Sequence, residues 1–598
     1  MDEPIYITGA GIISAIGNNK SEVLCSLLEK RSGIGDMHYL QSVHTELPVG
    51  EVKLSDEQMR KILSLDKDKP ANRTSLMGTI AMKEALKEAG LLSDVANMLL
   101  ISGTTVGGMD YTERCFLDLQ ESDEQLQVLS THDCGSTTLL QADYFGIRPD
   151  NVTTISTACS SAANAIIEGA NLIKAGKASR VIAGGSEAIT KFHLNGFNSL
   201  FILDSNRCRP FDATRLGINL GEGAAYVILE SAESIQERDV VPIGELRGYG
   251  NACDAFHQTA SSPEGEGAYR AMCEALEMSG LHTDDIQYVN AHGTGTPNND
   301  VSESVALKRI FGGTMPLVSS TKSFTGHTTS ASGAVEAIIC LLALQHQFIP
   351  ANLGWSKQME DGITPSLGEN HYELHYVMCN SFGFGGNDSS LIFSRYEGCL
   401  QPTRQRSLRS VYVRSFCRYN SDNKIDNLRE FISPIESRRM CNLLKSALVS
   451  SMTALREAGI DSPDGIFIGT KFGMLSNSEK FLQQMCREGE HALGPTLFMQ
   501  STHNTIAGML AIRTQCHGYN ITFTQGNRSL DCSLRDAALQ IALGRIDYAL
   551  VGCHDESTLL FSDLFKRLTG EQIAIGEYST SIILSSSAEG SIEEFRNF

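Results

Sequence analysis

The chain has 598 residues, 41 % of them apolar and 20 % charged, which is ordinary globular composition and enough for several packed units. Forty-nine lysines and arginines against 70 aspartates and glutamates leave a formal charge of −21. That balance disfavours general binding to nucleic acid or to an anionic membrane and leaves room only for a local basic patch.

The 16 cysteines are scattered and form no CxxC pair, so neither a zinc ribbon nor a thioredoxin-type motif is present and no metal site is expected. They read as mostly free thiols of a reducing compartment, nearly all of them small buried hydrophobes. The N-terminus MDEPIYITGAG is acidic where a signal peptide is basic, and the longest apolar stretch, Ala334–Leu344, is short and contains Glu336. The expectation is a cytoplasmic protein with no membrane insertion.

The first predicted strand, Pro4–Thr8, runs into Gly9-Ala10-Gly11. This looks like the start of a GxGxxG phosphate loop, but Ser14 stands in place of the third glycine and no ribose-binding acid follows. A strand-to-helix turn needing small residues accounts for it better. Ser75–Ala89 has helical apolar spacing and stops at Gly90; Met98–Ser102 and Val152–Ser156 read as short strands; Ser160–Ala175 reads as a helix stopping at Gly176. Val181–Ala183 is a strand running into Gly184-Gly185, and the rhythm continues through Gln287–Asn290, Leu317–Ser320, Ala331–Leu344 and Ser390–Phe393. Strands and helices alternating at these lengths imply an α/β sheet buried on both faces.

Glu397–Ser410 is mostly polar, holds one proline and three arginines, and lacks periodicity, so it reads as a linker. Beyond it the chain repeats itself. TSLMGTIAMKEALKEAGL before MLLISGTTVGG is echoed by NLLKSALVSSMTALREAGI before GIFIGTKFGM. The run from Thr157 to Glu187 is echoed by the run from Gln525, and aligning Gly184 with Gly552 sets Asn527 opposite Cys159, within about a residue. The second copy has room for one half of the first unit only.

Four segments carry chemistry. Cys159 sits where a strand turns into a helix, in Thr157-Ala158-Cys159-Ser160-Ser161, a place where unpaired backbone N–H groups and the helix dipole favour thiolate. His292, in Asn290-Ala291-His292-Gly293-Thr294-Gly295-Thr296-Pro297, follows a strand and is placed to point into a cleft. Lys322 and His327 lie in Thr321-Lys322-Ser323-Phe324-Thr325-Gly326-His327, also just after a strand. Asn380-Ser381-Phe382-Gly383-Phe384-Gly385-Gly386 is a glycine-rich loop able to bring backbone N–H groups to a substrate oxygen. Each alone also reads as a buried thiol, a turn histidine, a solvated lysine with a capping histidine, or a tight turn between strands. Gly184-Gly185-Ser186-Glu187-Ala188 is one glycine short of a GxSxG elbow and reads as a core turn. Cys532 falls in mid-helix and reads as core.

Together and in this order, the four segments resemble the β-ketoacyl-acyl-carrier-protein synthases, the ketosynthases of the thiolase superfamily, over residues 1 to about 396. The resemblance implies a thiolase-like five-layered αβαβα sandwich, with halves of about 1–235 and 236–396, a linker at 397–410, and a half-thiolase-like α/β domain at 411–598. It implies that Cys159 is acylated from an acyl carrier protein, that His292 and His327 assist decarboxylation of malonyl-carrier protein, and that a 3-oxoacyl chain results. No bound cofactor is implied, since the acyl and malonyl groups arrive on the phosphopantetheine arm of the carrier. Phe384 corresponds to the gating phenylalanine, its N–H and that of Cys159 to the oxyanion hole, and Lys322 to the site's electrostatic anchor together with Glu303. Val106 would line the acyl pocket, with Thr294, Thr296, Glu303 and Gly385 also on the substrate side.

A degradative thiolase would carry a second cysteine where the NSFGFGG loop stands, which points to condensation rather than cleavage. Basic residues meeting the carrier would be Lys61, Lys67, Lys69 and Arg73 on one side and Arg207 and Arg209 on the other, although a solvated helical face explains them equally. The expected assembly is a homodimer or a pair with a related synthase. The C-terminal region, with Gln500-Ser501-Thr502-His503-Asn504-Thr505, resembles synthase-like domains of type II polyketide and aryl-polyene systems. It lacks the elbow cysteine and both histidines, as chain-length factors do, so the alternative of a non-catalytic scaffold applies to that region.

Overall fold

The computed structural model of the chain describes residues 4–401, 407–420, 428–491 and 493–595; residues 402–406 of the expected linker lie outside them. Residues up to 230 contribute β1 (Ile5–Ser14), β2 (Leu99–Gly103), β3 (Val152–Ile155), β4 (Arg180–Glu187) and β5 (Gly223–Glu230). The next stretch contributes β6 (Gly244–Cys253), β7 (Tyr288–Asn290), β8 (Leu317–Ser319), a ribbon of β9 (Phe348–Ile349) with β10 (Glu369–Asn370), then β11 (Tyr376–Gly383) and β12 (Asn387–Ser394). The C-terminal region adds β13 (Val411–Asn420), β14 (Gly465–Gly469), β15 (Tyr519–Phe523), β16 (Tyr548–Ser557), β17 (Gly576–Ser585) and β18 (Glu593–Phe595).

Hydrogen bonding orders these strands β18-β13-β17-β16-β14-β15-β3-β2-β4-β5-β1-β6-β12-β11-β7-β8. One five-strand pattern, third-second-fourth-fifth-first, therefore occurs three times: in β3-β2-β4-β5-β1, in β8-β7-β11-β12-β6, and in β15-β14-β16-β17-β13. This is the thiolase-like α/β fold. Its central helices, Ser161–Lys174 and Ser332–His346, are buried along nearly their whole length; the second is apolar or small almost throughout, and the first also buries Asn164, Glu168, Asn171 and Lys174. Both pack into the largest apolar cluster, against strands of the first two repeats.

Two glycine pairs read as turns lie inside strands. Gly9 and Gly11 belong to β1, where an added Cβ would come within 2.2 Å of the Ala85 carbonyl oxygen and 2.0 Å of that of Ala81. The glycines let the helix Arg73–Glu88 press directly onto the strand. Gly184 lies within β4, and its Cβ would meet the Ala225 oxygen at 2.0 Å. Ser186, the lookalike nucleophile, is buried and donates to the Thr74 carbonyl.

The C-terminal copy docks on the first unit edge to edge. β15 runs antiparallel to β3 with Phe523 opposite Ile155. Ser156 N–H donates to Thr522 O and Thr524 N–H to Thr154 O, each at 2.9 Å. The strand order mirrors itself across this joint, so the two copies are related by a local two-fold. The β3 edge, where a second protomer could pair, is thus filled within the chain. Beside the joint, Phe192 and Phe197 pack with Phe481 and Phe498 in one apolar cluster. On the far side of the C-terminal copy, β18 pairs with β13 only from Val411 to Val413, and no counterpart of β12-β11-β7-β8 follows among the described residues.

Candidate active site

After β3 the chain makes one 3-10 turn, Ala158–Ser160, and enters the helix Ser161–Lys174. Ala158 takes φ +53°, a left-handed conformation costly for a residue with a Cβ. Two hydrogen bonds pin it: Thr157 N–H donates to Ser161 Oγ at 2.9 Å, and Ser161 Oγ donates to Ala158 O at 2.6 Å. The result is a sharp elbow that presents the Cys159 thiol to a cavity. Burial pushes that thiol up to about 12, against the opposing pull of Lys322 and of the Phe384 N–H. Desolvation therefore outweighs the helix N-terminus that led to an expected thiolate. The resting pair is a thiol beside an imidazole, with His327 Nε2 3.1 Å from Cys159 Sγ.

His327 is oriented by Ser332 Oγ, 2.9 Å from its Nδ1. The His292 ring stands edge-on to His327, centroids 5.3 Å apart. Burial first, then the Lys322 charge, holds both imidazoles well below the usual histidine range, so both are neutral. Glu303, on the helix Pro297–Phe311, shapes the His292 loop from beneath: it accepts from His292 N–H at 2.8 Å and Gly293 N–H at 2.7 Å. Burial raises its carboxyl to about 7. Lys322 is almost wholly buried and pairs with Glu336, not with Glu303. Glu303 takes backbone donors instead and lies within reach of the Lys322 charge, which lowers its pKa against the larger effect of burial.

Phe384 occupies the hairpin turn between β11 and β12, where Gly385 and Gly386 take φ of +84° and +75°. Its ring stacks on Phe197 at 5.7 Å, and its carbonyl accepts from Asn504 Nδ2 at 2.8 Å. A Cβ on Gly508 would touch Gly385 at 2.9–3.0 Å, so the helix Thr505–Thr514 of the C-terminal copy lies directly on this turn. Asn504→Ala should therefore lower kcat/KM by roughly three- to ten-fold while costing only about 1 kcal/mol of stability. Steady-state kinetics and a thermal melt check this; unchanged kinetics would show the contact to be idle.

Two cavities meet at Cys159. The first is open on the side of His292, His327, Thr294, Thr296 and Phe384, and its rim carries the exposed Phe201 and Leu216. The second passes Val106, Phe192 and Phe197 and is lined on its other side by Leu475, Phe498 and other residues of the C-terminal copy. Glu303 and Gly385 line neither. Gly385 turns toward Asn504 and Gly508, and its N–H donates to the Gln258 carbonyl. In the C-terminal copy, the turn Gly526–Arg528 repeats the elbow: Gln525 N–H donates to Ser529 Oγ at 2.9 Å, Ser529 Oγ donates to Gly526 O at 2.7 Å, and Gly526 has φ +59°. Asn527 stands exposed where the nucleophile would be.

The sequence model described as Beta-ketoacyl synthase, N-terminal domain, matches residues 2–234 and again 398–560, and its C-terminal companion matches 243–356. The chain belongs to the β-ketoacyl synthase family. This ketosynthase is 34 % identical to the 3-oxoacyl-[acyl-carrier-protein] synthase 2 of Synechocystis sp. over 66 % of its length and 98 % of that protein. It is 30 % identical to the solved ketosynthase ApeO, in complex with its chain length factor ApeC, from Xenorhabdus doucetiae, with TM-score 0.56, covering 66 % and 98 % of the two chains. The PfaC keto synthase-chain length factor structure covers 98 % of the chain and is itself covered over 79 %, with TM-score 0.82 at 14 % identity, a likeness of fold. The ketosynthase is an enzyme of Claisen condensation in acyl-chain elongation.

Of the six basic residues expected to meet a carrier, Lys61, Lys67, Lys69 and Arg207 are exposed. Arg209 turns inward to the Thr214 carbonyl at 2.7 Å and to Asp204. Arg73 is a correction: it is 4 % exposed, with its guanidinium on Glu222 at 2.9 Å and Asp56 at 2.7 Å, and a buried, paired cation cannot meet a protein partner. Glu336, Ser332 and Asn504 are site residues that sequence reading did not single out. Glu336 carried a signal, a lone acid within the apolar run Ala334–Leu344. Among the described residues, no helix is long and apolar enough to cross a membrane.

Proposed function

We propose that residues 1–396 of this ketosynthase condense a carrier-bound acyl group with malonyl-carrier protein at Cys159, and that residues 411–598 form a non-catalytic, chain-length-factor-like unit that lines the acyl cavity. The observation that carries this reading is the position of Cys159: at the junction of two cavities, one lined by His292 and His327 and the other by Val106, Phe197 and residues of the C-terminal copy, with His327 Nε2 3.1 Å from its sulfur and His292 alongside.

In the first step the Cys159 S–H proton passes through His327 Nε2 to the departing carrier sulfur, while Cys159 Sγ bonds to the acyl carbon. The Cys159 and Phe384 N–H groups hold the oxyanion. In the second, malonyl thioester loses CO2, and its enolate oxygen accepts hydrogen bonds from the neutral His292 and His327. The enolate carbon attacks the Cys159 thioester; a carbon–carbon bond forms, the cysteine sulfur leaves as thiolate and takes one proton from water by way of His327, and the 3-oxoacyl chain remains on the carrier. Burial, and after it the charge of Lys322 fixed by Glu336, keeps both imidazoles uncharged. Delivery by an acyl carrier protein is supported by the name of the Synechocystis relative and by the exposed Lys61, Lys67, Lys69 and Arg207. The pairing of ApeO with a chain length factor supports the role given to the C-terminal copy.

Because both histidines work as neutral groups and their pKa values are lowered, acidification to pH 6.5 leaves them competent. The acid limb of kcat/KM with small thioester analogues should fall well below the ordinary imidazole value. A limb centred at 6.5 or above would contradict the neutral-imidazole mechanism.

A further inference from the structure

Beneath the Cys159 elbow lies a ring of amides that takes no part in the steps above. Asn520, in the C-terminal strand β15, donates its backbone N–H to Asn251 Oδ1 on β6 at 2.9 Å. Asn251 Nδ2 donates to Asn164 Oδ1 at 2.8 Å, Asn164 Nδ2 donates to Asn387 Oδ1 at 2.7 Å, and Asn387 Nδ2 donates to the carbonyl of the same Asn520. All four residues are buried. A backbone N–H can only donate and a backbone C=O only accept, so the Asn520 main chain dictates which way the three side-chain amides face.

The ring grips the elbow on both sides of Cys159. Asn387 Oδ1 also accepts from Ser160 Oγ at 2.6 Å, and Asn164 Nδ2 also donates to Thr157 Oγ1 at 2.8 Å. Asn387 is at the same time the first residue of β12, paired with Gly383 across the turn that carries Phe384. A Cβ on Gly383 would meet the Thr157 carbonyl oxygen at 2.8 Å, so turn and elbow are in direct contact. From that turn the Phe384 N–H reaches the Cys159 sulfur, where it opposes the effect of burial.

An elbow of this shape does not require the ring. The C-terminal copy builds the same one with Gln525, Gly526 and Ser529 in the places of Thr157, Ala158 and Ser161. In that register Ser160 and Asn164 are matched by Arg528, which donates to the Pro149 carbonyl, and by Cys532, which packs in the core. The amides therefore accompany the turn that bears Phe384, and not the elbow as such.

We propose that Asn387 is a positioning residue of the oxyanion site: its amide sets the distance between the Phe384 N–H and the Cys159 elbow, and the main chain of Asn520 in the C-terminal copy holds that amide in its working orientation. The inference rests on the function proposed above and gives the C-terminal copy a part in the acylation step besides lining the acyl cavity. Donors help a developing oxyanion only if they already stand in place when the charge appears, and a buried amide network whose members are all paired is stiff enough to keep them there.

The test compares two reactions of the Cys159 thiol in the full chain, both read by intact-protein mass: single-turnover acylation by an acyl N-acetylcysteamine thioester, and alkylation by iodoacetamide. Acylation passes through a tetrahedral oxyanion, whereas alkylation displaces iodide at carbon and forms none. Asn387→Leu, close in volume but without the amide, should slow acylation at saturating thioester by roughly ten- to a hundred-fold and alkylation by no more than about three-fold. Ser160→Ala removes one donor to Asn387 and leaves the ring closed, so it should shift the same ratio in the same direction by roughly three- to five-fold, and it decides the matter if the leucine variant misfolds. Asn251→Leu cuts the ring one amide further from the elbow and should also slow acylation selectively; unchanged acylation there overturns the part given to Asn520. Equal loss in both reactions, or no loss of acylation in the Asn387 and Ser160 variants, overturns the inference and leaves the ketosynthase reading standing. Failure of the thioester to acylate Cys159 in the unmodified protein overturns the ketosynthase reading itself.

Discussion

Cys159→Ala abolishes condensation, with carbon–carbon bond formation falling by on the order of 10⁴ or more, while release of CO2 from malonyl thioester persists. The separation follows from geometry. The methyl group of alanine cannot hold an acyl chain, but His292 and His327 stay in place, fixed by Glu303 beneath their loop and by Ser332. His327→Ala should behave differently. Its Nε2 faces both the sulfur and the open cavity, so acylation and decarboxylation should both fall, each by roughly 10²–10⁴. Intact-protein mass reads the first step and labelled CO2 release the second. A Cys159→Ala protein that still forms 3-oxoacyl product, or a His327→Ala protein that decarboxylates at the unmodified rate, would refute these roles.

The second large effect is expected from ending the chain after Ser394. The cut strips the β3 edge of its partner and removes Phe481 and Phe498 from Phe192 and Phe197. Loss of those two buried phenylalanines alone takes away about 3–6 kcal/mol of apolar stabilisation, a large part of what a typical domain has in total. An unpaired edge beside an uncovered apolar patch also invites self-association. The shortened protein should melt earlier, associate or precipitate, and lose control over product length because its acyl cavity is open. Melting curves, size-exclusion chromatography and product analysis decide it. A shortened chain with unchanged melting temperature, oligomeric state and products would show the C-terminal copy to be dispensable.

The chemistry was legible in the sequence because it permits few substitutes: a thiol at an elbow, two histidines after strands and a glycine turn recur in fixed order. The copy was legible because helix and strand periodicity persist in it although Asn527 stands at the elbow. What escaped was whatever depends on distance in space. Gly9 and Gly11 read as a turn because glycine serves both turns and close packing, and only the Arg73–Glu88 helix on β1 tells them apart. Arg73 read as a surface cation because its partner Glu222 is 149 residues away. Helix position alone suggested a thiolate, whereas the depth of the cavity decides for the thiol. Asn504 stands in a recognisable segment, but nothing in that segment says that its amide grips the Phe384 carbonyl 120 residues away.

The joint between β3 and β15 also settles a matter of dilution. Two separate subunits meeting edge to edge come apart as their concentration falls, and unequal synthesis leaves one of them with an uncovered edge. Here both sides travel on one chain, so the local concentration of the second stays fixed however sparse the protein becomes. Stoichiometry is one to one from the moment of synthesis. The contacts at that joint come from β3 on one side and β15 on the other, the half of the fold that the C-terminal copy retains. The distal half of the first unit reaches the copy from beside that joint, where Asn520 N–H donates to Asn251 and Asn504 to the Phe384 carbonyl, so a single chain also fixes those contacts.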